Sequence, residues 1–386
     1  MKIVIAPDSF KESLAASEVA EAIAAGIKAV MPPATTVCIP MADGGEGTLD
    51  AVLAVTGGER RSLTVSDALG RPIIADWGWL PGNRAVIEMA SAAGLEHIHP
   101  SDRDPLTADT AGVGELLKAA LDAGAKQIVL TAGGSATNDA GTGMLRALGL
   151  RLLDKSSQPL DAGGRPLANL QMIDATQLDK RLQNVDVIVA TDVRNPLCGA
   201  QGASAIFGPQ KGATPAMVQE LDLALARFAE ITKAVTGKSL HEAPGAGAAG
   251  GLGYAAMAWM NATMRPGVEV VAELAKLEQE IKDADLVLTG EGRMDSQTLQ
   301  GKTPWGVMQI AKRYQVPVVA IAGSLGDGYQ ALYDQGLTAA FSLVSGPTTL
   351  AQACRQASDL LKARSADIIR LWLTPGLSPT AHHSSE

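Results

Sequence analysis

The chain has 386 residues, 46% of them hydrophobic and 3% aromatic, and its 32 Lys and Arg against 41 Asp and Glu give a net charge of −9. This composition excludes a disordered chain and predicts about two globular domains, while the acidic charge and the few aromatic side chains argue against a nucleic-acid partner. No apolar run reaches the roughly 18–20 residues that span a bilayer, so we expect no membrane partner.

The first predicted strand, residues 3–6, leads into the loop 8–11 and then into a helix for which Ser17 is the predicted N-cap. A second predicted strand, 37–41, leads into the glycine-rich loop 43–47. The next helix starts at about Thr48 and ends at Gly57-Gly58, a typical C-terminal signal. This alternation of strand, loop and helix is typical of α/β proteins with parallel sheets.

The pattern changes after residue 60. Residues 71–80 alternate in polarity, 81–83 read Pro-Gly-Asn, and 85–89 are apolar, which predicts an antiparallel hairpin. We therefore predict an inserted α/β domain with a mixed sheet over 61–284. The first domain then comprises 1–60 and 285–373.

Further strands are predicted along the rest of the chain, at 127–131, 185–190, 285–289 and 316–322. A long final helix is predicted over about 348–373, with Leu350 on its apolar face. Residues 374–386 are rich in Pro, Ser and His and are predicted to be a disordered tail.

Six loops follow predicted strands, and most of them carry a carboxylate within a few residues of glycine. They span 8–11, 43–47, 133–141, 192–196, 290–295 and 323–327. Ligands of open α/β sheets bind outside the carboxyl ends of the strands. Glycines let backbone N–H groups approach an anion, and carboxylates hold Mg²⁺ or accept a proton. The combination predicts a phosphoryl-transfer site, although Gly and Asp are also ordinary turn residues.

Standard nucleotide-binding motifs are incomplete. Gly301-Lys302-Thr303 ends like a Walker A loop, but position 296 is Ser where that motif needs Gly. Gly245 to Gly250 fits Gly-x-Gly-x-x-Gly without the preceding strand that a dinucleotide site requires. The segment 245–253 is therefore interpreted as a tightly packed turn or as a hinge or lid. The three cysteines lack metal-ligand spacing and indicate reduced thiols in a cytoplasmic protein.

Four of these segments resemble the bacterial glycerate kinases of class I, the glycerate 2-kinases. They are 6–11, 42–48, 133–139 and 290–295, and the segment 245–253 fits as well. The resemblance extends from Met1 to about Leu373. It implies ATP-dependent phosphorylation of D-glycerate on the 2-hydroxyl. It also implies two α/β domains, one flavodoxin-like with a parallel sheet and one inserted, with the active site in the cleft between them.

Three chemical roles need residues. The candidate general base is Asp192, which alternatively only caps a turn before Pro196. Lys11 is the first candidate to neutralise the transferring phosphoryl group, followed by Lys302 and Arg293. Asp295 and Glu291 are the candidate Mg²⁺ ligands.

The remaining candidates bind the substrate or the nucleotide. Asp8 and Ser9 are predicted to bind glycerate, and contacts to its hydroxyls are predicted from Asp43, Gly44, Gly45 and Glu46. One of Arg71, Arg194 and Arg293 is expected to hold the carboxylate of glycerate, and the sequence does not choose among them. Predicted contacts to the ATP phosphates come from Gly133, Gly134, Ser135, Thr137, Asn138 and Lys302. The loop 133–139 is alternatively a simple tight turn.

Other activities stay open at the level of sequence. The same kinase acting on the 3-hydroxyl would give 3-phosphoglycerate. A regulator that binds a small acid on a kinase fold is disfavoured because no DNA-binding appendage or basic patch is evident. A phosphatase with an aspartate nucleophile is also disfavoured, since several glycine loops suit a nucleotide better. The oligomeric state cannot be read from the sequence.

Overall fold

The computed structural model describes residues 1–374, so the predicted tail beyond Thr374 lies outside the described residues. The contacts within the chain form two compact units. The first unit comprises Met1–Asp43 and the chain from Val271 onward, and the second unit comprises Gly44–Val270. The junctions therefore lie at 43/44 and 270/271, whereas the sequence interpretation placed them at 60/61 and 284/285.

Strands and helices alternate along much of the chain. The strands are β1 (Lys2–Ile5), β2 (Thr35–Cys38), β3 (Glu59–Ser66), β4 (Pro72–Leu80), β5 (Arg84–Glu88), β6 (Gln127–Thr131), β7 (Arg151–Leu153), β8 (Met172–Asp174), β9 (Asp186–Ala190), β10 (Thr263–Arg265), β11 (Leu286–Met294), β12 (Val318–Leu325) and β13 (Leu337–Ser342). The helices are α1 (Ala16–Val30), α2 (Thr48–Thr56), α3 (Met89–Ala93), α4 (Ala111–Asp122), α5 (Thr142–Ala147), α6 (Ala203–Phe207), α7 (Pro215–Thr236), α8 (Ala248–Met260), α9 (Gly267–Leu274), α10 (Leu277–Ile281), α11 (Thr303–Arg313), α12 (Leu350–Arg355) and α13 (Ala357–Trp372).

The first unit contains a five-stranded parallel sheet in the order β2-β1-β11-β12-β13. Numbered within this unit, the strand order is 2-1-3-4-5, which is the flavodoxin-like order of a doubly wound sheet. The interior strand β1 is apolar because it pairs with a strand on each side and both of its faces are covered; Ile3, Val4 and Ile5 are fully buried. The predicted flavodoxin-like parallel sheet is confirmed.

Helices α1 and α13 share one hydrophobic core with this sheet. Ile23 of α1 and Leu361 of α13 pack in the same cluster as Ile3. The two helices approach closely at Gly26, where a Cβ atom would lie 2.1 Å from the hydroxyl oxygen of Ser365. A glycine is therefore required at this crossing.

The predicted N-cap of α1, Ser17, is wrong. The helix begins at Ala16, and the N-cap residue is Ala15, whose side chain offers no oxygen. The Glu18 carboxylate of the first turn instead accepts a hydrogen bond from the backbone N–H of Ala15 at 2.8 Å. An acidic side chain reaching back to the N-cap satisfies a backbone donor that a Ser hydroxyl cannot reach from inside the helix.

The long final helix predicted over 348–373 is two helices, α12 and α13, which meet at Gln356. Leu350, predicted to face the core, is 75% exposed. The core face begins only with Ala357, so periodicity extended the prediction by about two turns beyond the packed part.

The second unit contains a six-stranded mixed sheet in the order β3-β4-β5-β6-β9-β10. Strands β5, β6, β9 and β10 are parallel, and β3 and β4 are antiparallel to their neighbours. β4 and β5 form the predicted hairpin around 81–83, and a small separate hairpin pairs β7 with β8. The predicted mixed sheet is confirmed.

Helix α2 packs against the sheet of the second unit, which explains why the junction precedes it. A Cβ atom on Gly78 of β4 would lie 2.7 Å from Leu49 Cδ1, and one on Gly58 would lie 3.0 Å from Leu53 Cδ2. Gly57 ends the helix in the left-handed conformation with φ 65°, as the Gly-Gly signal predicts. The residues of α2 therefore belong to the second unit.

The parallel strands of the second unit end in register. Glu88, the last residue of β5, pairs with Thr131 of β6, and Thr131 pairs with Ala190 of β9. The loops that follow these strands therefore leave the sheet along one edge, where ligands of α/β sheets bind. Among residues 1–374, no helix combines the length and apolar character needed to cross a bilayer.

Candidate active site

Two strand ends of the first unit bring two predicted loops and the start of a helix together. The backbone N–H of Asp8, just after β1, donates to the carbonyl oxygen of Gly290 in β11 at 2.8 Å. The Asp8 carboxylate accepts a hydrogen bond from the hydroxyl of Thr303 at 2.5 Å, and another from the backbone N–H of Ser9 at 2.7 Å. Thr303 is the first residue of α11. Asp8 is thus fixed at the carboxyl edge of the parallel sheet.

Glu291 lies beside Asp8 and is only 7% exposed. One oxygen of its carboxylate accepts from the Thr298 hydroxyl at 2.5 Å, and the other pairs with the Lys302 ammonium at 3.3 Å. Burial raises the pKa of Glu291 to about 7, although Thr298 and Lys302 favour its charged form. Two of the predicted residues, Glu291 and Lys302, are therefore direct partners.

The Asp8 carboxyl is also perturbed. Burial, followed by the negative charge of nearby Asp43, raises the pKa of Asp8 to about 6. A bound cation would stabilise the charged forms of Asp8 and Glu291 together. This acidic pocket suits a ligand that carries positive charge or hydroxyl groups.

Lys11, Arg293 and Asp295 lie around this cluster. Lys11 is exposed in the turn after Phe10, and its backbone runs beside Gly292 of β11. Arg293 pairs with Asp295 at 3.1 Å. Asp295 also accepts from the backbone N–H of Gln297 at 2.9 Å and so caps the short helix that follows.

The second unit presents glycine turns where the first unit presents carboxylates. A Cβ atom on Gly133 would lie 2.7 Å from the Cα of Gly45, and one on Gly44 would lie 3.1 Å from the carbonyl oxygen of Ala190. Gly44 has φ +90°, a conformation that favours glycine. The predicted loops 43–47 and 133–141 therefore meet, backbone against backbone, at the carboxyl end of β6 and β9.

The loop after β6 turns inward. Gly134 is exposed, Ser135 is 9% exposed, and Thr137 and Asn138 are fully buried. The Asn138 amide donates to the hydroxyl of Ser204 at 2.7 Å. Within the described chain, the hydroxyl of Thr137 and the side-chain carbonyl of Asn138 have no hydrogen-bond partner, so the fold alone does not use all the polar groups of this loop.

The segment 245–253 packs directly behind this loop. A Cβ atom on Gly250 would lie 2.0 Å from the carbonyl oxygen of Thr137, and one on Gly247 would lie 2.3 Å from that of Pro196. The backbone N–H of Ala140 donates to the carbonyl oxygen of Gly250 at 2.9 Å. All of these glycines are buried. Close backbone packing therefore accounts for this segment better than a hinge or lid does.

The predicted base and the arginines have different surroundings. Asp192, after β9, accepts from the backbone N–H of Gly267, the first residue of α9, at 3.3 Å. This hydrogen bond lies at the start of α9. Arg194 and Glu46 are exposed on the same edge of the second unit. Arg71 follows the β3–β4 turn and pairs with Asp67 at 2.7 Å.

Three residues of these sites carry no local sequence signal. Glu88 accepts from the backbone N–H of Leu49 at 2.6 Å, and burial raises its pKa to about 7. Lys211 is 1% exposed beneath the loop 133–139. Thr298 contacts Glu291 only because the chain folds back after β11. Thr303, the partner of Asp8, differs from these three because the sequence marks it as the end of the motif Gly301-Lys302-Thr303.

The chain combines a flavodoxin-like sheet that ends in carboxylates with a mixed sheet that ends in glycine turns. These are the binding groups of an α/β phosphotransferase. Comparison with known proteins identifies the family of phosphotransferases. The sequence matches the glycerate kinase family over residues 3–373. The chain belongs to the glycerate kinase family, so the resemblance seen in the sequence is confirmed, as are the class of ATP-dependent phosphotransferases and ATP as the phosphoryl donor.

Its relatives are similar along almost their whole length. A glycerate kinase of Halalkalibacterium halodurans is 49% identical over 374 residues, covering 96% of this chain and 98% of the relative. A protein of Escherichia coli named glycerate 2-kinase is 48% identical, covering 95% and 97%. A crystal structure from Salmonella typhimurium LT2, described as a candidate glycerate kinase 2, is 47% identical with a TM-score of 0.88, covering 96% and 97%.

Proposed function

We propose that this protein transfers the γ-phosphoryl group of ATP to the 2-hydroxyl of D-glycerate, giving 2-phosphoglycerate and ADP. Family membership supports the acceptor, and the name of the Escherichia coli relative, glycerate 2-kinase, supports the position of attack. The structural observation that carries the proposal is the meeting of two glycine turns, at Gly45 and Gly133, at the carboxyl edge of the second unit's sheet.

The turn at Gly133 suits the phosphates of ATP. Without side chains at Gly133 and Gly134, backbone N–H groups are able to approach phosphate oxygens closely. The side chains of Ser135, Thr137 and Asn138 supply further polar groups in the same loop. We assign this loop to the ATP phosphates and the turn of Gly44, Gly45 and Glu46 to the substrate side.

Mg²⁺ is the second part of the proposal. Magnesium sites in kinases commonly use one or two carboxylates together with phosphate oxygens and water. Consistent with this, no cluster of three or more His, Cys, Asp or Glu arranged to hold a metal occurs in residues 1–374. When bound, the ion would neutralise phosphate charge.

Asp8 and Glu291 are the better-fitting carboxylates for this ion. Burial raises the pKa of both, and a cation would stabilise their charged forms. All three predicted carboxylates already have partners in the fold; those of Asp295 are Arg293 and the backbone N–H of Gln297. We therefore place Glu291 first, with Asp8 beside it, and Asp295 last.

Asp192 is the proposed general base. Its hydrogen bond from the Gly267 N–H holds the carboxylate at the start of α9 and orients it. In the reaction, Asp192 takes the proton of the glycerate hydroxyl while that oxygen attacks the γ-phosphorus, and the bond to the β-phosphate oxygen breaks to release ADP.

The remaining residues bind charge. Arg194 is the favoured partner of the glycerate carboxylate, because Arg71 and Arg293 are already paired with Asp67 and Asp295. Ser9 and Asp43 are assigned to the hydroxyls, since Asp8 is placed beside the ion. Lys11 is the first candidate for the transferring phosphoryl group, since Lys302 is paired with Glu291.

A cytoplasmic location is part of the same proposal. It rests on the three cysteines, which are unpaired thiols in the described chain.

A coupled ADP-release assay on the purified protein tests the function. D-glycerate, L-glycerate, glycolate and lactate are compared, each with Mg²⁺ and with a chelator. We expect ADP release with D-glycerate and Mg²⁺, and ³¹P NMR of the product should show 2-phosphoglycerate. Formation of 3-phosphoglycerate would overturn the assigned position, and ADP release with none of the acids would favour a non-catalytic binding role.

A further inference from the structure

A lysine that the proposed reaction does not use lies beneath the loop 133–139. Lys211 is 1% exposed and ends a short helix at 209–211. Its ammonium donates to the hydroxyl oxygen of Ser135 at 2.8 Å and to the carbonyl oxygen of Thr137 at 2.7 Å. We propose that Lys211 is a positioning residue for the ATP phosphates: its ammonium holds this loop in the shape that receives them and adds positive charge beneath it. The inference rests on the proposed function, in which this loop binds ATP.

The burial of Lys211 calls for such a role. An ammonium group is costly to remove from water, and an apolar side chain of similar length fills a core without that cost. Filling space therefore does not require a lysine here. The ammonium group instead adds two directional hydrogen bonds, both to this loop. The loop has no cationic donor of its own that could make them.

The hydrogen bond to Ser135 prepares its hydroxyl for a ligand. Because the oxygen of Ser135 accepts from Lys211, the hydroxyl hydrogen points elsewhere, and no acceptor for it is found within residues 1–374. Donation from a cation polarises the hydroxyl and strengthens it as a donor. Ser135 is the loop side chain that keeps some exposure, 9%. Its hydroxyl therefore suits a phosphate oxygen.

The loop is held from its other sides by backbone contacts. The N–H of Ala136 donates to the carbonyl oxygen of Ala93 at 2.9 Å, and Ala140 donates to Gly250 at 2.9 Å. These contacts fix the path of the chain but bring no charge. Lys211 is the cation that contacts the loop in the described structure.

The charges around Lys211 make its effect dependent on pH. Asp139 faces it from the loop and itself lies near Asp109, while the Arg103 side chain donates to the carbonyl oxygen of Gln210 next to it. Burial lowers the pKa of Lys211 to about 7, against the opposing effect of Asp139. A bound anion stabilises the ammonium form, so ATP affinity should fall as the pH rises above about 7.

Calorimetric titration of ATP into Lys211→Met and Lys211→Arg tests the inference, with Lys233→Met on the exposed end of α7 as the matched control. We expect Lys211→Met to lower ATP affinity at least about tenfold at pH 7, the range of a hydrogen bond to a charged group. D-glycerate affinity should stay within about twofold. The decline of ATP affinity between pH 6.5 and 8.5 should disappear, and Lys211→Arg should restore part of the affinity.

Unchanged ATP affinity in folded Lys211→Met would overturn the inference, and so would an equal loss of D-glycerate affinity, which indicates general damage. If this variant is recovered unfolded, Ser135→Ala carries the test, with ATP affinity expected to fall about three- to tenfold at an unchanged melting temperature. Unaltered affinity in Ser135→Ala would then overturn it. A wild-type protein that binds ATP but does not phosphorylate D-glycerate would refute the proposed function alone.

Discussion

The carboxyl ends of the two sheets offer opposite kinds of binding group. In the first unit, Asp8 and Glu291 are carboxylates held by Thr303, Thr298 and Lys302. In the second unit, glycine backbone lines the edge. The first edge suits cations and hydroxyls, and the second suits anions. Phosphoryl transfer needs both, and this chain places the two chemistries on two separate cores.

The two edges nevertheless have one physical property in common: buried ionisable groups with shifted pKa values. Burial raises the pKa of Asp8 to about 6 and that of Glu291 to about 7, and it lowers the pKa of Lys211 to about 7. Each group is therefore poised to gain charge when a ligand of opposite sign arrives. A substitution at one edge should therefore change the binding of one ligand and leave the binding of the other unchanged. This difference can be measured.

The largest effect is expected for Asp192→Asn. Removing a positioned general base should lower kcat by about 10²–10⁴-fold. The amide keeps an oxygen that accepts from the Gly267 N–H, so the start of α9 should remain intact. ATP affinity should therefore stay near that of the wild type. Steady-state kinetics together with calorimetric titration of ATP measures both quantities.

Asp186→Asn is the matched control. Asp186 begins the same strand, β9, and its carboxylate accepts from the side-chain amide of Gln127 at 2.7 Å, far along the strand from Asp192. Its kcat should equal that of the wild type. Full activity in Asp192→Asn would remove this residue from the mechanism and leave it as a helix cap.

Lys11→Ala should have the next largest effect. Loss of a cation that stabilises the transferring phosphoryl group is expected to lower kcat about 10–100-fold. Lys28→Ala is the control, because Lys28 lies well along α1 and donates to the carbonyl oxygen of Pro32 at 3.4 Å. Equal and mild effects of the two substitutions would show that Lys11 is only a solvated lysine.

The comparison of the two edges also explains how much the sequence reveals. Gly44, Gly45, Gly133 and Gly134 are candidates from the sequence because glycine and acid at strand ends form a local pattern, and in the structure Gly45 and Gly133 lie together. Their partners could not be predicted. Lys211 is 76 residues from Ser135 in the chain, and no pattern around it distinguishes it from a surface lysine. Burial of a charged side chain is a property of the fold, not of its neighbours in sequence.

The fold shows the same division. Strands such as β6 were predicted to the residue because a short apolar run between polar loops has few alternatives. The start of α1 was not predicted, because it depends on the Glu18 side chain, which reaches the backbone N–H of Ala15 three residues away. The break before α13 was not predicted either, because it depends on where the helix begins to pack on the core. The junction before Gly44 differs from the bound at residue 60 that the sequence suggests, because the sequence of α2 does not show which sheet it packs against; contacts such as that of Leu49 with Gly78 place it in the second unit.

A third prediction concerns the glycine edge alone. Gly133→Ala would place a Cβ atom 2.7 Å from the Cα of Gly45, so one turn must shift. We expect KM for ATP to rise about tenfold, because misplaced donors lose phosphate contacts. Gly346→Ala is the control, since nothing lies within 4 Å of a Cβ atom there. An unchanged KM for ATP would show that the meeting of the turns has no part in nucleotide binding.

The last expected effect is on stability and leaves activity aside. It comes from Glu88, a carboxyl at the end of β5 on the same sheet edge as the glycine turns. Glu88 accepts from the backbone N–H of Leu49 and so caps α2, whose N-cap residue Gly47 has no side chain to do so. Burial, and next the charges of Asp50 and Glu96, raise the pKa of Glu88 to about 7, against an ordinary value of 4.5. The folded protein therefore holds this proton at a pH where the unfolded chain has released it.

The sign of the pH dependence follows. Stability from the protonated Glu88 is fully present below about pH 4.5 and is lost as the pH rises through about 7. Glu88→Gln keeps an accepting oxygen and removes the titration, so between pH 5 and pH 8 its free energy of unfolding should fall by about 2–3 kcal/mol less than that of the wild type. Urea unfolding at both pH values measures this. Glu242→Gln, at a side chain 88% exposed, should follow the wild type, and identical pH profiles for Glu88→Gln and wild type would mean that the glycine edge carries no uncharged acid.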